Sequence, residues 1–175
     1  TNVSMSISAF SMLSPFNLLL YLVPRNLILE SISILTAVKM VFMSVAMYAL
    51  LSHKFPKLLY PVKTAFAVMY SLCGYVILYG SCFTPWMDIV ALFPLLMLAL
   101  DRLLTTGKKL FYIFMVALSF IINYYLSAMA LIYVFLVSGV YILLLCERKE
   151  WKKHAWNLGI GTAAGMGPVS YTHLT

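Results

Sequence analysis

LFYIFMVALSFIINYYLSAMALIYVFLVSGVYILLLC, residues 110–146, carries no charged residue and is bounded by Lys108 and Lys109 on one side and by Arg148 and Lys149 on the other. A bilayer hydrocarbon core of about 30 Å is crossed by roughly 20 helical residues. The run is therefore too long for one ordinary span and suits two. Its polar break is Asn123-Tyr124-Tyr125-Leu126-Ser127, which predicts the tip of a tight hairpin there, with both basic ends on the opposite side.

The same alternation extends through the chain. Ten of the twelve Lys and Arg residues fall in three clusters: Lys54, Lys57 and Lys63; Arg102, Lys108 and Lys109; and Arg148, Lys149, Lys152 and Lys153. Apolar stretches long enough for a membrane hairpin separate them, so all three clusters are expected on one side, which the positive-inside rule makes cytoplasmic. Spans are predicted over residues 32–51, 64–83, 86–104, 110–126 and 128–146. Thr84 reads as an N-cap with Pro85 as the first helical residue, and residues 80–85 as an outside turn.

The expected fold class is thus an all-α polytopic transmembrane helical bundle. Composition agrees, because 63% hydrophobic residues, 10% charged residues and a mean hydropathy of +0.98 leave too little polar surface to cover a soluble globule. The net charge of +7 flanks spans instead of forming one basic face, so it points to anionic lipid and not to nucleic acid. Cys73, Cys82 and Cys146 lack CxxC spacing and read as buried small residues. His53, His154 and His173 have no metal-ligand geometry, and no phosphate loop, nucleophile elbow or HExxH is present.

Both ends differ from this pattern. The apolar stretch between Pro15 and Pro24 is too short to span and reads as an interfacial or re-entrant segment; no cleavable signal peptide is visible before it. A sixth apolar segment begins near Trp156, passes through small residues to Gly167 and is expected to stop before it crosses. Beyond Val169, residues 170–175 resemble translated sequencing-adapter read-through. With Thr1 in place of an initiator Met, the expectation is an internal fragment, residues 1–169, of one integral-membrane domain.

A few polar residues stand out against the apolar background. Lys39 lies inside the first span, where an ammonium costs about 2.5–3.5 kcal/mol unless it faces a polar cavity or partner. Ser33 and Thr36 share an arc of roughly 120° with it and suggest one polar wall; snorkelling toward headgroups is the other reading. Asp88, in the first turn of the third helix, either caps free N–H groups or serves as a general base or cation ligand. Trp86 beside it suits an interfacial anchor. Arg25 and Glu30 are either solvated loop charges or, for Arg25, a binder of an anionic headgroup. Asn123, Tyr124 and Tyr125 suit hydrogen bonding to a sugar, holding an outer loop, or an aromatic belt.

The succession Ser14-Pro15-Phe16-Asn17-Leu18-Leu19, Thr84-Pro85-Trp86-Met87-Asp88, Phe93-Pro94-Leu95-Leu96 and Asn123-Tyr124-Tyr125-Leu126-Ser127-Ala128-Met129 resembles the YfhO family of bacterial membrane proteins, over roughly residues 14–160. The resemblance implies a glycosyltransferase C-like architecture, here with five full spans and a truncated sixth. It also implies transfer of a sugar, on the outer face, from a polyprenyl-phosphate carrier to a cell-envelope polymer such as teichoic acid. Its partners would be membrane lipid, the lipid-linked sugar donor and the polymer acceptor. The main acidic catalytic residue of that superfamily would precede Thr1. This chain would supply cavity residues: Lys39 and Arg25 for the lipid phosphate, and Asp88, Asn123 and Tyr124 for sugar or acceptor contacts, with Asp88 as the candidate base. A buried cation or a bound divalent metal would stabilise the leaving phosphate. A transporter or flippase of a lipid-linked sugar and a non-catalytic scaffold are the competing functions; the first would favour broken helices in repeated positions.

Overall fold

The structure is a computed structural model that describes residues 14–17, 24, 27–80 and 84–173. Among the described residues there are seven helices and no strands: α1 (Ile28–Lys54), α2 (Tyr60–Ser71), α3 (Gly74–Tyr79), α4 (Thr84–Thr106), α5 (Leu110–Ile122), α6 (Tyr124–Leu145) and α7 (Trp151–His173). The all-α membrane class is the one observed. Four stretches are long and apolar enough to cross a bilayer: Glu30–Lys54, Tyr60–Tyr79, Trp86–Thr106 and Tyr124–Leu145. The chain divides into two compact units, Thr1–Pro94 and Leu95–Thr175.

In the first unit, α1 runs for 27 residues without Gly or Pro and stops at Phe55. Phe55 precedes Pro56, and the residue before a proline is pushed out of the helical region; its φ of −127° and ψ of 71° show the exit. The chain turns back into α2, which carries a proline in its first turn where no N–H is needed. Two cross-contacts fix α1 and α2 as antiparallel: Ser44 Oγ donates to Ser71 Oγ at 2.8 Å, and the Tyr48 and Tyr60 rings meet edge-on at 5.8 Å. The span predicted over residues 64–83 is interrupted. Leu72 and extended Cys73 separate α2 from α3, and Ser71 Oγ donates to the Val68 carbonyl at 2.9 Å, the local side-chain bond that competes with a helix ladder.

Helix α4 contains Pro94, where the two units divide. A proline in a helix leaves the carbonyl four residues earlier without its N–H partner. That carbonyl belongs to Val90, and the Tyr70 hydroxyl donates to it at 2.7 Å. Phe93-Pro94 is therefore accommodated by a side chain of α2, not by solvent.

In the second unit, α4 ends at Gly107, whose φ of +72° is easy only for glycine, and whose N–H bonds the Leu103 carbonyl at 3.0 Å. Helix α5 packs most extensively on α7. A Cβ built at Gly161 would meet Tyr112, and one at Gly165 would meet Val116. Both numbers rise together, so α5 and α7 are parallel and α6 is the return. The Tyr112 and Thr162 hydroxyls share a buried hydrogen bond of 3.0 Å across this contact.

One expected boundary is corrected, and one segment is longer than its apolar part. The span over residues 110–126 closes at Ile122, because Asn123 adopts an extended conformation and at once caps α6, its side chain accepting from Leu126 N at 3.1 Å. The broad tip at 123–127 is thus a one-residue turn. The sixth segment, expected to stop before crossing, belongs to a 23-residue helix that begins at Trp151 and continues through Pro168. At 1.5 Å per residue α7 is about 35 Å long, but it is not among the stretches apolar enough to cross, in keeping with a sixth segment that stops short.

Candidate functional site

Lys39 Nζ lies 2.6 Å from Asp88 Oδ1, and both side chains are 0% exposed. Helical side chains lean toward their own N-terminus, so the Lys39 stem climbs α1 away from the Lys54 loop and toward the start of α4. The snorkelling reading fails for this residue: its charge ends on a carboxylate inside the protein. The capping reading fails for Asp88, since neither of its oxygens accepts a properly aligned hydrogen bond among the described residues. The 2.6 Å contact and that missing alignment describe different things. We read it as a close ion pair whose angle is poor for a hydrogen bond.

Two residues from the N-terminal turn complete the site. Ser14 is itself buried, and its oxygen accepts from Phe16 N at 3.3 Å. The Phe16 ring centroid lies 5.7 Å from Lys39 Nζ, within cation–π range, and meets Phe42 edge-on at 5.2 Å. Met43, Val76, Met87 and Ala91 form the apolar core beside these groups, with Tyr70, Cys73 and Val90 packed against it. An ion pair is much stronger in such surroundings than in water.

The polar wall expected from Ser33 and Thr36 does not form. Ser33 is exposed, and Thr36 Oγ1 donates to its own helix at Ile32 O, 3.0 Å away. Asp88 and Phe16 take its place. Glu30 is exposed at the start of α1. Trp86 stacks near Tyr79 at 6.2 Å, and Tyr79 near Tyr75 at 5.0 Å, an aromatic cluster of the kind that marks a membrane boundary.

Of the expected site residues, Lys39 and Asp88 are brought together. Arg25 lies outside the described residues, as does most of the segment between Pro15 and Pro24. Asn123 and Tyr124 belong to the other unit, Asn123 as the α6 cap and Tyr124 with its ring 5.5 Å from Phe120. No group of three His, Cys, Asp or Glu side chains suited to a metal is found among the described residues. Tyr70 escaped the sequence reading. Pro94 signals that the Val90 carbonyl needs a donor, but not which residue supplies it.

Ser14 and Phe16 come from the first family-like stretch and Asp88 from the second, and both meet Lys39. A family model described as bacterial membrane protein YfhO matches residues 2–169. The chain belongs to the YfhO family. No curated protein and no solved structure shows significant similarity to it. In this YfhO chain the resemblance of the short stretches therefore has a physical counterpart, because two of them converge on one buried charge.

Proposed function

We propose that the chain forms part of a glycosyltransferase C-like membrane enzyme that moves a sugar from a polyprenyl-phosphate carrier to a cell-envelope polymer on the outer face, with the basic loops cytoplasmic. One observation carries the reading: a YfhO chain keeps a lysine and an aspartate in contact inside an apolar core. Well-packed apolar residues in place of a buried ion pair are often neutral or stabilising by about 1–4 kcal/mol, so holding helices together is not reason enough for the charges. Ionisable groups within spans mark functional sites by default.

In this reading Lys39 faces the carrier phosphate, which gains charge as the sugar departs, and Asp88 positions Lys39 until a substrate anion competes for it. Asp88, so released, is the candidate acceptor of the polymer hydroxyl proton. Arg25, Asn123 and Tyr124 remain candidates for headgroup and sugar contacts. A second reading, a transporter or flippase, draws on the break at Leu72–Cys73 and the proline in α4, since discontinuous helices line transport sites.

The test is a labelled polyprenyl-phosphate sugar assay on the complete protein in vesicles. Lys39→Met combined with Asp88→Leu removes both charges and should keep normal protein levels while transfer is lost. Undiminished transfer by that double variant overturns the proposal; movement of the lipid-linked sugar across the bilayer without transfer favours the flippase. Orientation is tested separately, in a background without native Cys. Tyr125→Cys, at an exposed position, should react with an impermeant thiol reagent in intact cells, and Thr106→Cys should not. The reverse pattern removes the outer-face chemistry.

A further inference from the structure

Two of the three basic clusters, Arg102 to Lys109 and Arg148 to Lys153, lie in the second unit, where α4 and α6 end and α5 and α7 begin. The turn at Gly107 and the loop before α7 meet there around a cavity of about 980 Å³, lined by the side chains of Lys109, Lys149 and Lys153 and by Glu147, Glu150 and His154. With histidine neutral, these leave one net positive charge. Glu150 Oε2 lies 3.7 Å from His154 Nε2, and His154 Nδ1 is buried without a hydrogen-bond partner among the described residues. Lys149 and Lys153 bracket the first turn of the 23-residue helix α7, whose free N–H groups add positive potential.

One wall of the same cavity is apolar, made by Leu104, Tyr141 and Leu145, and exposed Leu143, Leu144 and Leu110 continue the apolar surface nearby. The cavity thus joins cations to a hydrocarbon-like wall where the membrane-length helices α4 and α6 end. Lysines that only set topology need no concavity. This arrangement matches an amphiphile with one negative charge.

We infer that the cavity binds the phosphodiester of an anionic phospholipid in the leaflet of the basic loops, with Lys109, Lys149 and Lys153 on the phosphate oxygens and the acyl chains against Tyr141 and Leu145. The recognised chemistry is a phosphate monoanion, which free inorganic phosphate also presents, so the source is part of the test. Basic pockets between membrane helices hold lipid headgroups in this way. The site is independent of the sugar-transfer reading and stands if that reading fails.

The complete protein, delipidated in detergent, is titrated with phosphatidylglycerol, phosphatidylcholine or inorganic phosphate, and bound ligand is counted by native mass spectrometry. Lys109, Lys149 and Lys153 are changed together to Gln; a control with the same charge loss changes Lys57, Lys108 and Lys152, exposed lysines outside the cavity. Each lysine near an anionic headgroup contributes about 1 kcal/mol, so the cavity triple should lower phosphatidylglycerol affinity at least about tenfold, and the control by less than about threefold. If the cavity triple is poorly folded by circular dichroism, Lys149→Gln alone should still weaken binding about fivefold. Phosphate binding that the triple abolishes, without phosphatidylglycerol binding, supports the same chemistry from a soluble source and overturns the lipid. Equal losses in triple and control, or equal binding of phosphatidylcholine, overturn the site.

Discussion

In the first unit a buried contact between helices is charged, Lys39 against Asp88 at 2.6 Å, whereas in the second a buried contact is neutral, Tyr112 against Thr162 at 3.0 Å beside Gly161 and Gly165. Lipid gives helices no hydrophobic reason to associate, so close packing and polar contacts must do it. Both units meet that demand, the first with a buried ion pair and the second with close-packed glycines and a hydroxyl pair. The small-residue contact shows that this chain can join helices without ions, in keeping with the functional role proposed for the ion pair.

The comparison is tested most strongly at the charges. Lys39→Met alone should destabilise by about 3–5 kcal/mol, because it strands a buried carboxylate, and adding Asp88→Leu should recover most of that loss. Reversible unfolding in mixed micelles measures both. A neutral Lys39→Met would mean that Asp88 finds water or another donor, and the contrast between the units would then vanish.

The next effect belongs to the neutral contact. A Cβ at Gly165 would lie 2.7 Å from Val116 Cγ1, 2.8 Å from Val116 Cβ and 3.1 Å from the Ile113 carbonyl. A stiff branched side chain and a backbone oxygen cannot both yield, so Gly165→Val should cost toward the upper end of about 1–3 kcal/mol. Gly159, on the same helix, has nothing within 4 Å. Gly159→Ala should be neutral or gain up to about 1 kcal/mol from helix propensity. Equal responses at the two glycines would remove close approach as the basis of α5–α7 packing.

Much of this was legible in advance, for identifiable reasons. Charge clusters between apolar runs gave the helical membrane class, and Lys39 and Asp88 stood out singly because each is an ion in an apolar span. Their pairing was hidden. Lys39 is the twelfth residue of α1 and Asp88 the fifth of α4, a difference of about two turns that only a long stem leaning toward its N-terminus closes. The break after Ser71 was hidden for a related reason: hydropathy is continuous across Leu72 and Cys73, and side-chain bonds to Val68 and Val90 reshape the backbone there. Asn123 was noticed, but its cap role depends on its own extended backbone, which composition does not reveal.

A smaller effect tests the proline that divides the units. Tyr70→Phe should cost about 1–2 kcal/mol, the penalty for leaving the Val90 carbonyl without a donor. Pro94→Ala supplies the missing backbone N–H four residues on, so Tyr70→Phe should cost little in that background. A loss that persists in the double variant would assign Tyr70 to packing and not to the orphaned carbonyl.

The smallest effect is expected at the hydroxyl pair that first distinguished the second unit. Tyr112 is fully buried and Thr162 nearly so, and in a soluble core losing their bond would leave a hydroxyl stranded. Within a membrane helix Thr162 has a local alternative, since a threonine hydroxyl can turn to the carbonyl four residues back, that of Leu158. Measured hydrogen bonds between membrane helices average only about 0.6 kcal/mol for this kind of reason. Tyr112→Phe keeps the ring against Gly161 and should therefore lower stability by about that amount in the same unfolding measurement, well below Gly165→Val. A loss several times larger would place the strength of the second unit in its polar bond and not in its close-packed glycines, and the two units would then differ in charge alone.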